Sequence, residues 1–281
     1  MNTDFADVPI AKVKDYWNER PCNIRHSTAE VGTREYFDQV EARKYFVEPH
    51  IPGFAEFEKW RGKRVLEIGC GIGTDTINFA RAGAQVTAVD LSAKSLELAK
   101  KRVEVFGFTD RVEFFEANAE NLSEFVEPRQ YDLIYSFGVI HHSPQPEKII
   151  DQIKTNFAGP ETVLKLMVYY RYSWKVLWIL LTSGRGRFWR LDEMIAENSE
   201  AQTGCPVTYS YNRKSLRELV GTAFEIDNMF VDHIFPYRIP DYVKYRYVKV
   251  WYFRLLPDFL FRFFERRCGW HLCMTAKCTQ D

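Results

Sequence analysis

An apolar run, "VLEIG", breaks into three glycines at alternate positions, Gly69, Gly71 and Gly73, and continues as helix-like sequence. A strand, a bare turn and a helix N-terminus together can hold a ligand on main-chain N–H groups. The surrounding residues decide which ligand. A dinucleotide turn needs glycines at its first, third and sixth positions, the last so that helix and strand pack closely. Here the sixth position is Thr74. A Walker A loop fails as well, since no G-K-S or G-K-T follows. Glu67, two residues before the first glycine, would meet a pyrophosphate with like charge.

That carboxylate suits a ligand carrying a cationic amine with its own carboxylate nearby, and S-adenosylmethionine is such a ligand. Asp90 ends the next strand, 21 residues after Gly69, where a carboxylate accepts both hydroxyls of a ribose. After the third strand, "EANAENL" puts Asn118 and Ala119 where an amide oxygen and a backbone N–H could meet an adenine edge. The three strand ends in series read methionine moiety, ribose, adenine. Taken singly, Glu67 is equally a solvated strand end and Asp90 a capping group for the helix after Ser92. Their common frame favours cofactor binding.

The elements that hold these residues follow a βαβαβ rhythm from Arg64 onward: "RVLEI", "TDTINFARAG", "QVTAVD", "SAKSLELAKKRVEVFG" and "RVEFFEA". Ser92 caps the second helix, Leu96, Ala99 and Val103 share one face of it, and Gly107 stops it. "YDLIYSF", a helix over 146–157 and "TVLKLMVYY" continue the pattern to Tyr170. The expectation is an α/β, doubly wound, seven-stranded and mostly parallel sheet. Residues 1–60 form an N-terminal helical lid broken at Pro21, Pro49 and Pro52, and residues 61–281 form the core, with helical insertions after strands 5 and 6 at about 171–211 and 233–269. "NRKSLRELVG" and "AFEIDNMFVD" give a helix and a sixth strand, and "WHLCMTAKC" a last one.

With 281 residues and 46% hydrophobic content the chain can bury a large core, and 38 basic against 38 acidic residues leave no net field to draw nucleic acid, so no nucleic-acid partner is expected. The N-terminus has no cationic segment followed by an apolar one, and the longest apolar stretch, around 174–181, falls short of the roughly 20 residues that span a bilayer. A cytoplasmic protein with six reduced cysteines is the expectation. Cys273 and Cys278 would face opposite sides of the last strand, so no metal is expected there.

In order, "VLEIGCGIG", "VTAVDLS", "ANAENL" and "YDLIYSFGVIHH" resemble the class I, seven-strand S-adenosylmethionine-dependent methyltransferases, over roughly residues 16–170. The resemblance implies that the turn from 67 to 73, with Glu67, Gly69, Cys70, Gly71 and Gly73, wraps the methionine part. It implies that Asp90, beside Leu91, binds the ribose, and that Asn118 and Ala119 contact the adenine. Asparagine stands at 118 where that family more often carries aspartate. It also implies an antiparallel last strand and a lid helix, here the one with Tyr16 and Trp17.

Methyl transfer from a sulfonium needs alignment and exclusion of water, and a base only if the nucleophile is protonated. In "SFGVIHHSPQP", Phe137 and Gly138 should line the cofactor; His141 and His142 can supply a base or simply pack. Tyr169 and Tyr170 alternate, so one of them faces the pocket. Arg171 is a candidate clamp for an acceptor's carboxylate or phosphate, or the partner of a surface acid. Tyr209 and Tyr211, after the Gly204–Cys205–Pro206 turn, are a candidate acceptor wall for a small molecule.

The segment between strands 6 and 7, "IFPYRIPDYVKYRYVKVWYFRLLPDFLFRFFERRCGW", has 13 aromatic, eight basic and three acidic residues among 37. It reads as a cap over a partly apolar acceptor, a homo-oligomer interface, or a peripheral membrane contact; single-stranded nucleic acid is a further, less suited partner. The leading function is methyl transfer to a small molecule. A cyclase or lyase consuming the same cofactor, and a cofactor-binding scaffold, are the rivals.

Overall fold

A computed structural model of the chain describes residues 5–183, 188–202 and 204–279; residues 184–187 and 203 of the expected 171–211 insertion lie outside them. Seven strands, β1 (Arg64–Ile68), β2 (Gln85–Asp90), β3 (Val112–Glu116), β4 (Leu133–Phe137), β5 (Val163–Tyr169), β6 (Phe224–Asp232) and β7 (His271–Cys278), form one sheet. Its order is β3-β2-β1-β4-β5-β7-β6. The first five strands are parallel, and β7 runs antiparallel between β5 and β6. Chain order reverses between β1 and β4, the switch point at which open α/β sheets bind ligands.

Strand alternation sorts the side chains between two helical layers. Leu66, Ile68, Leu164, Leu166 and Val168 enter one core. Val65, Tyr135, Met167 and Tyr169 enter the other, and Glu67, one position off Leu66 and Ile68, shares their face. Cys273 and Cys278 fall in these two different cores, as their odd spacing requires.

The helices are α1 (Ile10–Glu19), α2 (Arg34–Val47), α3 (Ile51–Ala55), α4 (Thr74–Ala82), α5 (Ala93–Phe106), α6 (Pro146–Gln152), α7 (Trp174–Thr182), α8 (Leu191–Gln202), α9 (Arg213–Val220), α10 (Ile239–Tyr242), α11 (Trp251–Arg254) and α12 (Asp258–Cys268). Ser92 accepts the Ser95 N–H to start α5, and Gly107, at φ 78°, ends it. None of the described helices is long and apolar enough to cross a membrane.

The β6–β7 segment divides in two. Around α10, Tyr242 and Tyr245 sandwich the Arg43 guanidinium of α2, with ring centroids 4.1 and 4.2 Å away. Along α11 and α12, Trp251, Leu255, Phe259, Phe263 and Phe264 stand exposed beside Arg254, Arg266 and Arg267.

Candidate active site

The glycine turn is fixed by what presses on it. Gly69 sits at φ +81°, and a Cβ there would lie 2.1 Å from Val139 Cγ2 in the loop after β4. Only glycine lets the two loops touch. At Gly71, by contrast, an added Cβ would meet no atom within 4 Å. Its N–H donates to Asp90 Oδ2 at 2.8 Å, and the Ser92 N–H donates to Asp90 Oδ1 at 2.8 Å. Each Asp90 oxygen keeps a second lone pair for a hydroxyl donor. Desolvation raises its carboxyl to about 6, opposed by these N–H groups.

Glu67 is buried, with the Thr76 hydroxyl donating to its Oε2 at 2.6 Å. Burial, then the charge of Asp75, pushes its carboxyl up to about 8, while Thr76 and the Lys44 ammonium pull it down. Asp75 accepts from Lys44 (2.8 Å), Tyr45 (2.9 Å) and Tyr135 (3.0 Å). Lys44 therefore pairs with Asp75, and Glu67 keeps its proton near neutral pH until a further cation arrives. A cationic ligand group would complete the charge balance, and together with the open approach to Gly71 this fits S-adenosylmethionine. Lys44, Asp75 and Thr76 were not legible as site residues; their helical spacing reads as an ordinary polar face.

Asn118 caps the turn after β3, its Oδ1 accepting from the Glu120 N–H at 3.1 Å, which leaves one lone pair and the amide N–H₂ for an adenine edge. Ala119 packs on the core beneath. Helix α1 crosses above these strand ends. Lys14 pairs with Glu116 of β3 at 2.6 Å, the Ser92 hydroxyl donates to Trp17 O at 3.3 Å, and the Trp17 ring lies 5.2 Å from that of His142. Leu91 packs into the apolar cluster beneath α1. Tyr16, edge-on to Trp17 at 5.1 Å, lines a cavity of about 560 Å³ between α1 and α8, with Arg20, Glu193, Glu197 and Cys205.

Across the switch point, Phe137 and Gly138 end β4 and His141 is fully buried. The His141 ring lies 3.9 Å from that of Tyr169, and neither of its nitrogens has a hydrogen-bond partner among the described residues. Burial holds it well below the usual histidine range, so the ring is neutral. His142 Nδ1 donates to Val207 O at 2.8 Å, which orients it.

Three expectations on this side need revision. Arg171 is bound to Asp192 at 2.5 Å, the acidic partner rather than an open clamp. Tyr211 belongs to the core on the opposite face of the sheet from Tyr169, because it bridges to Tyr170. Tyr209 is held by the Phe5 N–H (3.1 Å) and donates to Pro144 O (3.2 Å), so it ties the segment before α1 to the loop after β4.

Five of the six histidines converge here. Beyond Tyr169, whose ring stacks 6.4 Å from that of His271, come His233 (4.4 Å from His271) and His50 (5.1 Å from His271). Phe137 is 5.5 Å from His271. His50 follows α2, His233 follows β6, and His271 opens β7 opposite Tyr169. The only trace in the sequence is polar residues inside apolar segments, "VEPHIP", "VDHIF" and "GWHL".

Sheet order, antiparallel last strand and cofactor loops at the switch point define a class I S-adenosylmethionine-dependent methyltransferase. The chain belongs to the family described as "Methyltransferase domain", which matches residues 59–214. A ubiquinone biosynthesis O-methyltransferase of Bordetella parapertussis is 37% identical over 89 residues, 32% of this chain and 36% of that protein. The chain spans about a quarter to two fifths of the length of the curated relatives it matches. Among solved structures, magnesium protoporphyrin IX methyltransferase from Synechocystis PCC 6803 with bound SAH aligns at TM-score 0.60 and 17% identity, over 96% of this chain and 100% of that one. The [4+2]-cyclase SpnF aligns at TM-score 0.57 and 15% identity, over 100% and 98%. These two likenesses concern the fold.

Proposed function

We propose that this protein transfers the methyl group of S-adenosylmethionine to a small, partly apolar acceptor bound over the carboxyl ends of β4 and β5. The observation that carries it is the order of groups along the sheet edge: Asn118, Asp90 and the Glu67–Gly73 turn on adjacent strands, then Phe137, His141 and Tyr169 across the switch point. When bound, the cofactor supplies an electrophilic methyl on a good leaving group. Asp90 binds the ribose hydroxyls, Asn118 and Ala119 the adenine, and the Glu67 carboxylate offsets the positive charge of the methionine part. Phe137, Gly138 and α1 exclude water.

Tyr169 and the buried, neutral His141 face the acceptor, and His141 can accept a hydrogen bond from an acceptor hydroxyl. His142, fixed by Val207, supports His141 from behind. The protein works in the cytoplasm and touches a membrane through the exposed aromatic and basic side chains of α11 and α12, a composition that suits the headgroup region and brings an apolar acceptor within reach. Flotation with anionic vesicles tests this; Trp251→Ser with Phe259→Ser should abolish it, and a wild-type protein that stays unbound refutes it.

Incubation with isotopically methyl-labelled S-adenosylmethionine and a panel of phenols, quinols and isoprenoid alcohols tests the main proposal. Label in an acceptor together with S-adenosylhomocysteine is the expected result. Methylthioadenosine formed from cofactor alone would instead make the cofactor the substrate of a cyclase or lyase.

A further inference from the structure

Glu48, at the end of α2, and His233 and His271, at the two roots of the β6–β7 segment, each offer one donor atom, and the three atoms lie within 4.8 Å of one another. Both histidines are buried, and the glutamate is half-buried. Bonds of roughly 2.1 Å to a shared ion place neighbouring donors about 3.0–3.4 Å apart, so small side-chain rotations close the set. We propose that Glu48, His233 and His271 form a two-histidine, one-carboxylate site for a divalent first-row transition-metal ion, placed beside the acceptor region with coordination positions left for an acceptor donor atom.

The neighbours of each ligand fit this assignment. His271 Nε2 lies 3.6 Å from Glu48 Oε1, while its Nδ1 lies 3.1 Å from His50 Nε2. With Nε2 on the ion, Nδ1 carries the proton and donates to His50. The proton of His50 then sits on its own Nδ1, which has no hydrogen-bond partner among the described residues and faces Asp232 Oδ1 at 3.8 Å; that oxygen accepts the His233 N–H at 2.8 Å. His50 thereby sets the tautomer of His271, the kind of support that metal-bound imidazoles ordinarily have, with the Asp232 carboxylate beside it. On the other ligand, the Val47 main chain holds the His233 ring, and its Nδ1 has no hydrogen-bond partner among the described residues.

His233 also occupies the left-handed region at φ 71°, uncommon outside glycine, and is pinned there by the Trp270 N–H donating to its carbonyl at 2.7 Å. Two imidazoles with one carboxylate favour iron, cobalt, nickel or zinc over magnesium or calcium, which prefer all-oxygen sets. The rings of Phe137 and Tyr169 put the cluster on the acceptor side of the switch point. Only the adjacency to an acceptor rests on the methyl-transfer proposal.

The test is titration of metal-stripped, full-length protein with Co(II), followed by visible absorption, with Zn(II) as competitor. One saturable Co(II) per chain, displaced by Zn(II), is expected. Glu48→Gln and His233→Asn should each weaken binding at least about tenfold, and His50→Gln, acting through His271, about tenfold. The thermal melt of each variant shows whether its fold is intact. Should a variant fail that control, the proton signals of the histidine rings that Co(II) shifts in wild-type protein decide the matter. Absence of saturable binding, unchanged affinity in folded Glu48→Gln and His233→Asn, or shifts confined to His26, His141 and His142 would overturn the site. The titration uses neither cofactor nor acceptor, so its failure leaves methyl transfer standing, and failed methyl transfer leaves the titration readable.

Discussion

Replacing Glu67 by glutamine should move stability and cofactor affinity in opposite directions. The Glu67 carboxyl is raised from 4.5 to about 8 by burial and by Asp75. A carboxyl raised on folding favours the folded state fully below pH 4.5, and that stability is lost as pH rises through about 8. At pH 7 the window from 4.5 to 7, at about 1.36 kcal/mol per unit, amounts to about 3 kcal/mol of stability lost. Glutamine never ionises, and its amide oxygen can still accept from Thr76. Allowing about 1 kcal/mol for imperfect placement of its N–H₂, the cofactor-free variant should gain about 2 kcal/mol at pH 7, or about 4 °C in Tm.

The same change removes a carboxyl that can give up its proton to face a cationic ligand, so affinity for S-adenosylmethionine should fall about ten- to a hundredfold. Thermal melts between pH 5 and 9 and calorimetric titration at pH 7.5 measure both effects. Between pH 6, where Asp90 has ionised, and about pH 8 the wild-type melt should decline and the variant's should not. A variant that melts lower while binding the cofactor unchanged would make Glu67 a structural strand residue and refute the charge argument.

Asp90, raised to about 6, must ionise to receive ribose hydroxyls; cofactor affinity should fall up to about tenfold per unit below pH 6, and calorimetry on Asp90→Asn should show weaker binding without that slope. Gly69→Ala forces a left-handed alanine against Val139, 2.1 Å from its Cγ2; a loss of about 2–4 kcal/mol in urea unfolding is expected. Arg171→Ala strands the mostly buried Asp192 and should cost about 2 kcal/mol, with cofactor affinity unchanged; full stability in urea would return Arg171 to the acceptor side.

The glycine turn, the strand-ending acid and the capping asparagine of the proposed cofactor site are legible because each is written in a few consecutive residues. The sheet was legible for the same reason, since period-two apolar runs alternate with capped helices. The acceptor half depends on long-range placement. His50 and His271 are 221 residues apart and meet only because β7 turns back between β5 and β6. Lys44 and Asp75 sit on helices whose polar positions look solvated until the two helices pack together. Tyr211 seemed to belong to a wall because it follows Tyr209 by two residues, yet its bridge to Tyr170 carries it to the other core. The aromatic segment offered several readings because half of it wraps Arg43 and half lies exposed, a division that composition does not encode.

A crystal structure with S-adenosylhomocysteine tests the central claim most directly. The account predicts adenine beside Asn118, ribose hydroxyls on the Asp90 carboxylate, and the sulfur turned toward Phe137 and Tyr169. Ligand seated in the cavity between α1 and α8, or with its ribose away from Asp90, would contradict it.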